Sequence, residues 1–185
     1  ADQKTWDKLP RARVVVHLAG ETYVPYSWDQ SASFLQTNVI GTQRALDYCK
    51  KNEAVVVLAS AYFYGIPETL PISESDQLKP NNPYALSKWF AEELVKFSSQ
   101  NFDIPAVSLR LFNVFGPGQK KDFLIPNIIN QVFCCNLIQL QDLNPKRDYI
   151  YIDDVVDAIL LSSKIDRGFS CCNIGSGESY SVNEI

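Results

Sequence analysis

Tyr84 and Lys88 stand four residues apart in the run Asn82-Pro83-Tyr84-Ala85-Leu86-Ser87-Lys88. On a helix that spacing puts both side chains on one face, a turn apart. A phenol, with a reference pKa of about 10, is a poor base at neutral pH, but an adjacent ammonium stabilises its phenolate and draws that value down. A nearby serine hydroxyl, offered here by Ser60, can hold a substrate oxygen against the tyrosine while its proton moves. The pair alone is unspecific. Nine tyrosines and eleven lysines make one Tyr-x-x-x-Lys match close to an even chance, and an exposed helical pair is the plain alternative.

The elements that must position these residues are legible in the hydrophobic pattern. Residues 13–18 (RVVVHL) and 54–59 (AVVVLA) are continuous apolar runs, as in parallel strands covered on both faces. Between them, 28–51 carries Phe34, Leu35, Val39, Leu46 and Cys49 at helical spacing. Residues 65–83 hold four prolines and no apolar period, so a loop is expected over the strand ends. Pro83 marks the start of a helix over 84–98, and 106–112 (AVSLRLF) is the third strand. Strand, helix, strand, helix, strand implies right-handed crossovers and a parallel sheet with helices on both faces. Beyond Gly116-Pro117-Gly118 the pattern predicts a helix over 123–133, strands at 137–140, 149–152 and 171–174, and a helix beginning at Asp153-Asp154.

Composition narrows the class. The chain has 185 residues, 46% of them hydrophobic, and a net charge of -4 with basic residues scattered, which argues against nucleic acid as a partner. No apolar run approaches the roughly 20 residues of a membrane span, and the first ten residues lack a signal-peptide core, so no membrane partner and a cytoplasmic location are expected. Five cysteines, with no C-x-x-C, fit neither a disulfide framework nor a zinc site; reduced, mostly buried thiols and no metal are expected.

In open parallel sheets ligands bind beyond the carboxyl ends of the strands. Gly20, Ser60 and Asn113 fall at three such ends. The segments around them occur in the order found in the extended short-chain dehydrogenase/reductases, and the chain resembles their nucleotide-sugar epimerase and dehydratase group over nearly its whole length. Val15-Val16-His17-Leu18-Ala19-Gly20 is similar to the strand lying against the cofactor, Thr37 to Thr42 to the helix segment whose asparagine (Asn38) faces it, and Ala59 to Gly65 to the catalytic-serine segment. Arg110-Leu111-Phe112-Asn113-Val114-Phe115-Gly116-Pro117-Gly118 resembles the turn into the substrate lobe, and Lys146 to Asp154 the segment whose arginine grips a diphosphate. Asn173-Ile174-Gly175-Ser176-Gly177 is similar to the closing strand and turn.

The resemblance implies an α/β fold: a Rossmann-like doubly wound parallel sheet with a smaller interwoven substrate lobe. Residues 1–112 would form a partial NAD-binding domain and 113–185 the sugar-nucleotide lobe, with 171–174 returning to the main sheet. It implies catalysis by Ser60, Tyr84 and Lys88, and cofactor binding by Leu18, Ala19, Gly20, Asn38, Tyr84, Lys88 and Phe112. Ser60, Asn113 and Arg147 would bind a nucleotide diphosphate sugar. The implied cofactor is NAD, with NADP open, and the full-length form is expected to be a homodimer. The reaction would be a 4-epimerisation; reduction of a 4-keto-6-deoxy sugar and non-catalytic binding are the alternatives.

Two departures bear on this. The positions after the catalytic serine, which hold Asp and Glu in the hexose 4,6-dehydratases, are Ala61 and Tyr62, arguing against dehydration and against the decarboxylases that need Glu in the second of them. The chain also has no Gly-x-x-Gly-x-x-Gly turn, which in this group precedes the His17 strand, so a fragment is expected. His17, the lone histidine, is assigned no chemistry, and Asp153 and Asp154 are taken as helix caps in preference to a metal pair.

Overall fold

A computed structural model describes residues 3–134 and 137–185. Four strands, β1 (Val14–His17), β2 (Val55–Ala61), β3 (Ala106–Leu111) and β6 (Phe169–Ile174), form a parallel sheet in the order β1-β2-β3-β6. The apolar alternation decides which face meets which helix. Val56 and Leu58 of β2 pack with Ala106 against Leu46 and Cys49 of α4 (Gly41–Asn52) and Val95 of α5 (Pro83–Phe102). Val57, Val107 and Leu109 point the other way, onto Ala158 and Ile159 of α7 (Ile152–Ser162). Both faces are thus covered, which is why the strands read as continuous apolar runs.

The helix expected over 28–51 is broken. A short α2 (Val24–Asp29) ends at Gln30, and the chain restarts as α3 (Ser31–Phe34), widens into a π-helical turn over Leu35–Ile40 and continues as α4. The π turn sets the face that carries Asn38 inward, where that side chain is 2% exposed. α5 begins where expected. Pro83 occupies its first turn, and the Asn82 side chain accepts from the Ala85 amide at 2.8 Å, satisfying one of the free N–H groups of the helix start. It runs further than the pattern indicated, to Phe102, and stops at Asp103 in the left-handed region.

A short α1 (Gln3–Trp6) precedes β1. β4 (Asn113–Phe115), β5 (Lys146–Tyr151) and β7 (Ser179–Ser181) make a second sheet, with β4 parallel and β7 antiparallel to β5, and α6 (Leu124–Cys134) lies between β4 and β5 in the chain. The strand expected at 137–140 does not form: those residues are irregular and largely exposed, so nothing covers an apolar strand there. Asp153 and Asp154 lie within the first turn of α7; the N-cap is Tyr151, so they favour the helix through its dipole and not as caps. The thiols also differ from expectation. Cys49 is buried, Cys171 and Cys172 are half-buried and Cys134 is exposed, while Cys135 lies outside the described residues.

β2 leads into the 65–82 segment through Gly65. Its φ is +73°, and a Cβ there would stand 2.6 Å from the Lys79 carbonyl oxygen. The fold-back is closed by the Lys79 amide donating to the Phe63 carbonyl at 3.0 Å. Gly65→Ala is therefore expected to lower stability by ~1–3 kcal/mol, measured as a reduced urea midpoint.

Candidate active site

The row of residues at the carboxyl end of the main sheet is set by register. Ser60 pairs with Arg110, and Arg110 with Asn173, so three polar side chains lie side by side on the face that α5 covers. Lys88, 6% exposed, projects from α5 and donates to the Ala59 carbonyl at 2.5 Å. Its ammonium thus sits one residue from Ser60. The Ser60 hydroxyl oxygen is buried and has no hydrogen-bond partner among the described residues. A buried hydroxyl left open in this way is ready to bond an oxygen that the site receives.

Asn38 is the tie between layers. Its Oδ1 accepts from the Glu21 amide at 2.8 Å, and its Nδ2 donates to the Glu21 carbonyl at 3.1 Å and to Ser87 Oγ at 2.8 Å. Ser87 in turn donates to the Tyr84 carbonyl at 2.7 Å. Asn38 therefore fixes the β1 end loop and the first turn of α5 against one another. Gly20 fits this arrangement tightly: a Cβ would lie 3.0 Å from Asn38 Oδ1 and 3.9 Å from Lys88 Nζ. Leu18 and Ala19 are exposed just before it.

On the other side, the Tyr62 ring stacks on Phe112 with centroids 5.1 Å apart and 10° between planes. Its hydroxyl donates to Asn113 Oδ1 at 3.1 Å, and Asn113 Nδ2 donates to the Asp148 carbonyl at 2.9 Å. The contacts form two groups, Gly20, Asn38 and Lys88 in one and Tyr62, Phe112 and Asn113 in the other, while Tyr84 packs against Ala61, Phe63 and Ala85. Arg147 stands apart, exposed on β5, its Nη1 donating to the Lys146 carbonyl at 2.8 Å. Tyr62 entered the sequence reading only as a departure from a dehydratase pattern; its stacking on Phe112 required the 50-residue separation to close, and no local signal announces that.

The electrostatics correct one expectation. Lys88 was expected to draw the Tyr84 pKa down; instead burial, with a smaller push from Tyr62, raises it to about 12. The reason is geometric: the ammonium is turned onto the Ala59 carbonyl, and desolvation of a phenolate outweighs it. Burial likewise lowers Lys88 to about 8, opposed by Glu92.

A doubly wound parallel sheet with a serine at the end of β2 and a tyrosine and lysine four apart on the facing helix α5 is the arrangement of the extended short-chain dehydrogenase/reductase class. The chain belongs to the NAD dependent epimerase/dehydratase family, whose model matches residues 1–175. It is 32% identical over 191 residues to a GDP-6-deoxy-D-mannose reductase of Pseudomonas aeruginosa, covering 97% of this chain and 62% of the relative. Among solved structures it is similar to MoeE5 in complex with UDP-glucose and NAD (TM-score 0.91, 34% identity, covering all of this chain and 64% of that one). It is also similar to a UDP-glucose 4-epimerase of Thermotoga maritima with UDP-glucose (TM-score 0.92, 27% identity, 99% and 62%). The chain thus spans less than two thirds of the length of these relatives. Among the described residues no helix is long and apolar enough to cross a membrane.

His17 is the one histidine, and its place is structural. Thr42 Oγ1 gives its hydrogen to the Asn38 carbonyl, so His17 Nε2, 3.0 Å away, is the donor to Thr42. Burial, then the Lys88 charge, lowers the His17 pKa to about 4. The unfolded chain takes up this proton near pH 6.5 and the folded chain only near 4, so stability is lost as pH falls across that window. Between pH 7 and pH 5 the His17 share of the loss is expected to be about 2 kcal/mol; urea midpoints at both pH values should show a smaller drop in His17→Gln than in the parent chain.

Proposed function

We propose that the full-length protein is an NAD-dependent 4-epimerase of a nucleotide diphosphate hexose. The observation that carries the reading is the buried Ser60 hydroxyl, without a partner, beside the Lys88 turn of α5. Such a group suits a hydroxyl-bearing carbon presented to Tyr84. The residues fit a flat dinucleotide cofactor: Gly20 leaves the space that a Cβ would fill over Asn38 and Lys88, and Leu18, Ala19 and Phe112 border the same end of the sheet. Asn38, Tyr84 and Lys88 complete the group that would hold it. NAD, when bound, supplies the acceptor and later the donor of the hydride.

In this reading Tyr84 takes the proton of the sugar 4-hydroxyl and returns it once the 4-keto sugar has turned over. Burial favours the protonated phenol, so Tyr84 must first lose its proton to solvent before its phenolate can accept that of the 4-hydroxyl; the phenol so formed is the donor for the return. Ser60 orients the reacting oxygen, and Lys88 stands on the Ala59 carbonyl where it can stabilise the phenolate as negative charge develops. Asn113, held by Tyr62, would face the sugar, and the exposed guanidinium of Arg147, which gives one N–H to the Lys146 carbonyl, would take a diphosphate. Residues 1–112 carry the cofactor side and 113–185 the substrate side. Ala61 and Tyr62 supply no carboxylic acid and carboxylate for removing water.

A second reading, reduction of a nucleotide-linked 4-keto-6-deoxy sugar by NAD(P)H with the same three residues, is favoured by the 32% identity to a reductase. The setting is taken as cytoplasmic and the full-length form as a homodimer.

The test uses the full-length protein with UDP- and GDP-hexoses. Interconversion of epimers without added cofactor supports the epimerase, whereas net consumption of NADPH by a keto sugar selects the reductase. Binding of nucleotide sugar without turnover points to a non-catalytic role. Tyr84→Phe is expected to lower kcat by roughly 10²–10⁴-fold, and undiminished turnover in that variant would remove the tyrosine mechanism.

A further inference from the structure

Behind the row of site residues lies a buried ion pair to which the reading above gives no task. Glu92 and Arg110 are 2% and 4% exposed, and Arg110 Nη2 meets Glu92 Oε1 at 2.6 Å. Arg110 Nε also donates to both carboxylate oxygens, at 3.1 and 3.2 Å, and Ser108 Oγ donates to Oε2 at 2.5 Å. The remaining nitrogen, Nη1, reaches Tyr64 Oη at 2.7 Å and the Glu74 carbonyl at 3.1 Å. Tyr64 donates onward to Asn173 Oδ1 at 2.6 Å, and Asn173 holds the Ile72 carbonyl through Nδ2 and the Glu74 carboxylate through its amide. The 65–82 segment has little burial to secure it, with Ile66 85% and Leu70 74% exposed. Besides the Lys79 to Phe63 bond and the packing of Leu78, its ties to the sheet run through this pair and Asn173.

A buried ion pair is seldom retained for stability, since apolar residues of like volume serve as well or better. Position supplies the other reason. Glu92 lies one helical turn beyond Lys88 on α5, roughly 5–6 Å between Cβ atoms, and Arg110 neighbours Ser60 across the sheet. We propose that Glu92 and Arg110 are positioning residues of the site: Glu92 sets a negative charge behind the Lys88 ammonium, while Arg110 meters that charge and pins the 65–82 segment across the strand ends. The proposal rests on the placing of Lys88 in the reaction described above, but it can be read without turnover. The groups that face Lys88 come from several elements: His17 of β1, neutral above about pH 4; Tyr84 and Glu92 of its own helix; the Ala59 carbonyl of β2, which accepts its hydrogen bond; and Asn38 and Gly20, which bring no charge. Of these, Glu92 is the one carboxylate, and its effect on Lys88 opposes that of burial.

The experiment is an NMR titration of the full-length protein labelled with [13C]lysine, the Lys88 signal being assigned with Lys88→Arg. Glu92→Gln should lower the Lys88 midpoint by about one pH unit, and Arg110→Met, which leaves the carboxylate unshielded, should raise it. Where turnover is observed, the limb of the pH profile that follows Lys88 should move the same way in each variant. Midpoints that stay put, or that move together, overturn the proposal, because a purely structural pair would loosen the site alike whichever partner is removed. If Arg110→Met does not fold, Glu92→Gln decides alone: a fall in the midpoint supports the proposal and an unchanged one ends it. Loss of the epimerase reading would appear separately, as a parent protein without turnover whose Lys88 still titrates.

Discussion

The constraint on which the structure turns is the burial of the Lys88 ammonium. A cation held at 6% exposure is stable only where partners replace its water, and the partners come from three layers of the fold. The Ala59 carbonyl takes its hydrogen bond at the end of β2, Glu92 balances it from the next turn of α5, and Arg110 of β3 balances Glu92. Each of these needs the one before it, so α5 cannot slide along the sheet without stranding a buried charge. The depth and tilt of the helix bearing Tyr84 follow from that requirement as much as from the packing of Val95 and Ala91. Asn38 secures the same part of the helix through Ser87, the residue before Lys88, and the π turn is what allows an asparagine there to reach it.

Much of this was legible in sequence because it rests on local patterns. Parallel strands covered on both faces announce themselves as apolar runs, Asn82-Pro83 announces the start of α5, and prolines announce the 65–82 segment. Tyr84 and Lys88 share a helical face by spacing alone. The positions of Gly20, Ser60 and Asn113 followed from the rule that ligands gather at the carboxyl ends of parallel strands. The expected strand at 137–140 shows the limit of the same method: an apolar run becomes a strand only if an edge and a cover are available, and neither is decided locally.

What was not legible depends on contacts distant in sequence. Tyr64 and Asn173 are 109 residues apart, and Arg110 reaches Glu74 across 36. Each looks like an ordinary polar residue where it stands in the chain, and only the register of β2, β3 and β6 aligns them. The direction of the Tyr84 pKa was hidden for a related reason. Spacing places an ammonium near the phenol, but orientation and burial decide which influence is larger, and in this site the carbonyl of Ala59 claims the ammonium while desolvation acts on the ring.

Phe112 marks the point where the two sheets are joined. β3 and β4 are consecutive, yet they belong to different sheets, and the residue between them still donates its amide to the Ile174 carbonyl of β6 at 3.0 Å. The main sheet therefore holds the chain up to the point of departure, and the first residue beyond it, Asn113, is already paired with Tyr149 of β5. Tyr62 bridges the same boundary from β2, its ring on Phe112 and its hydroxyl on Asn113. Asn113 is thereby registered to Tyr62 of β2, two residues beyond Ser60, through one hydrogen bond and a pair of stacked rings. Any shift of the second sheet relative to the first would have to break the Tyr62 to Asn113 bond or unstack Phe112, so the two sides of the site keep their spacing for the same reason that they keep their fold.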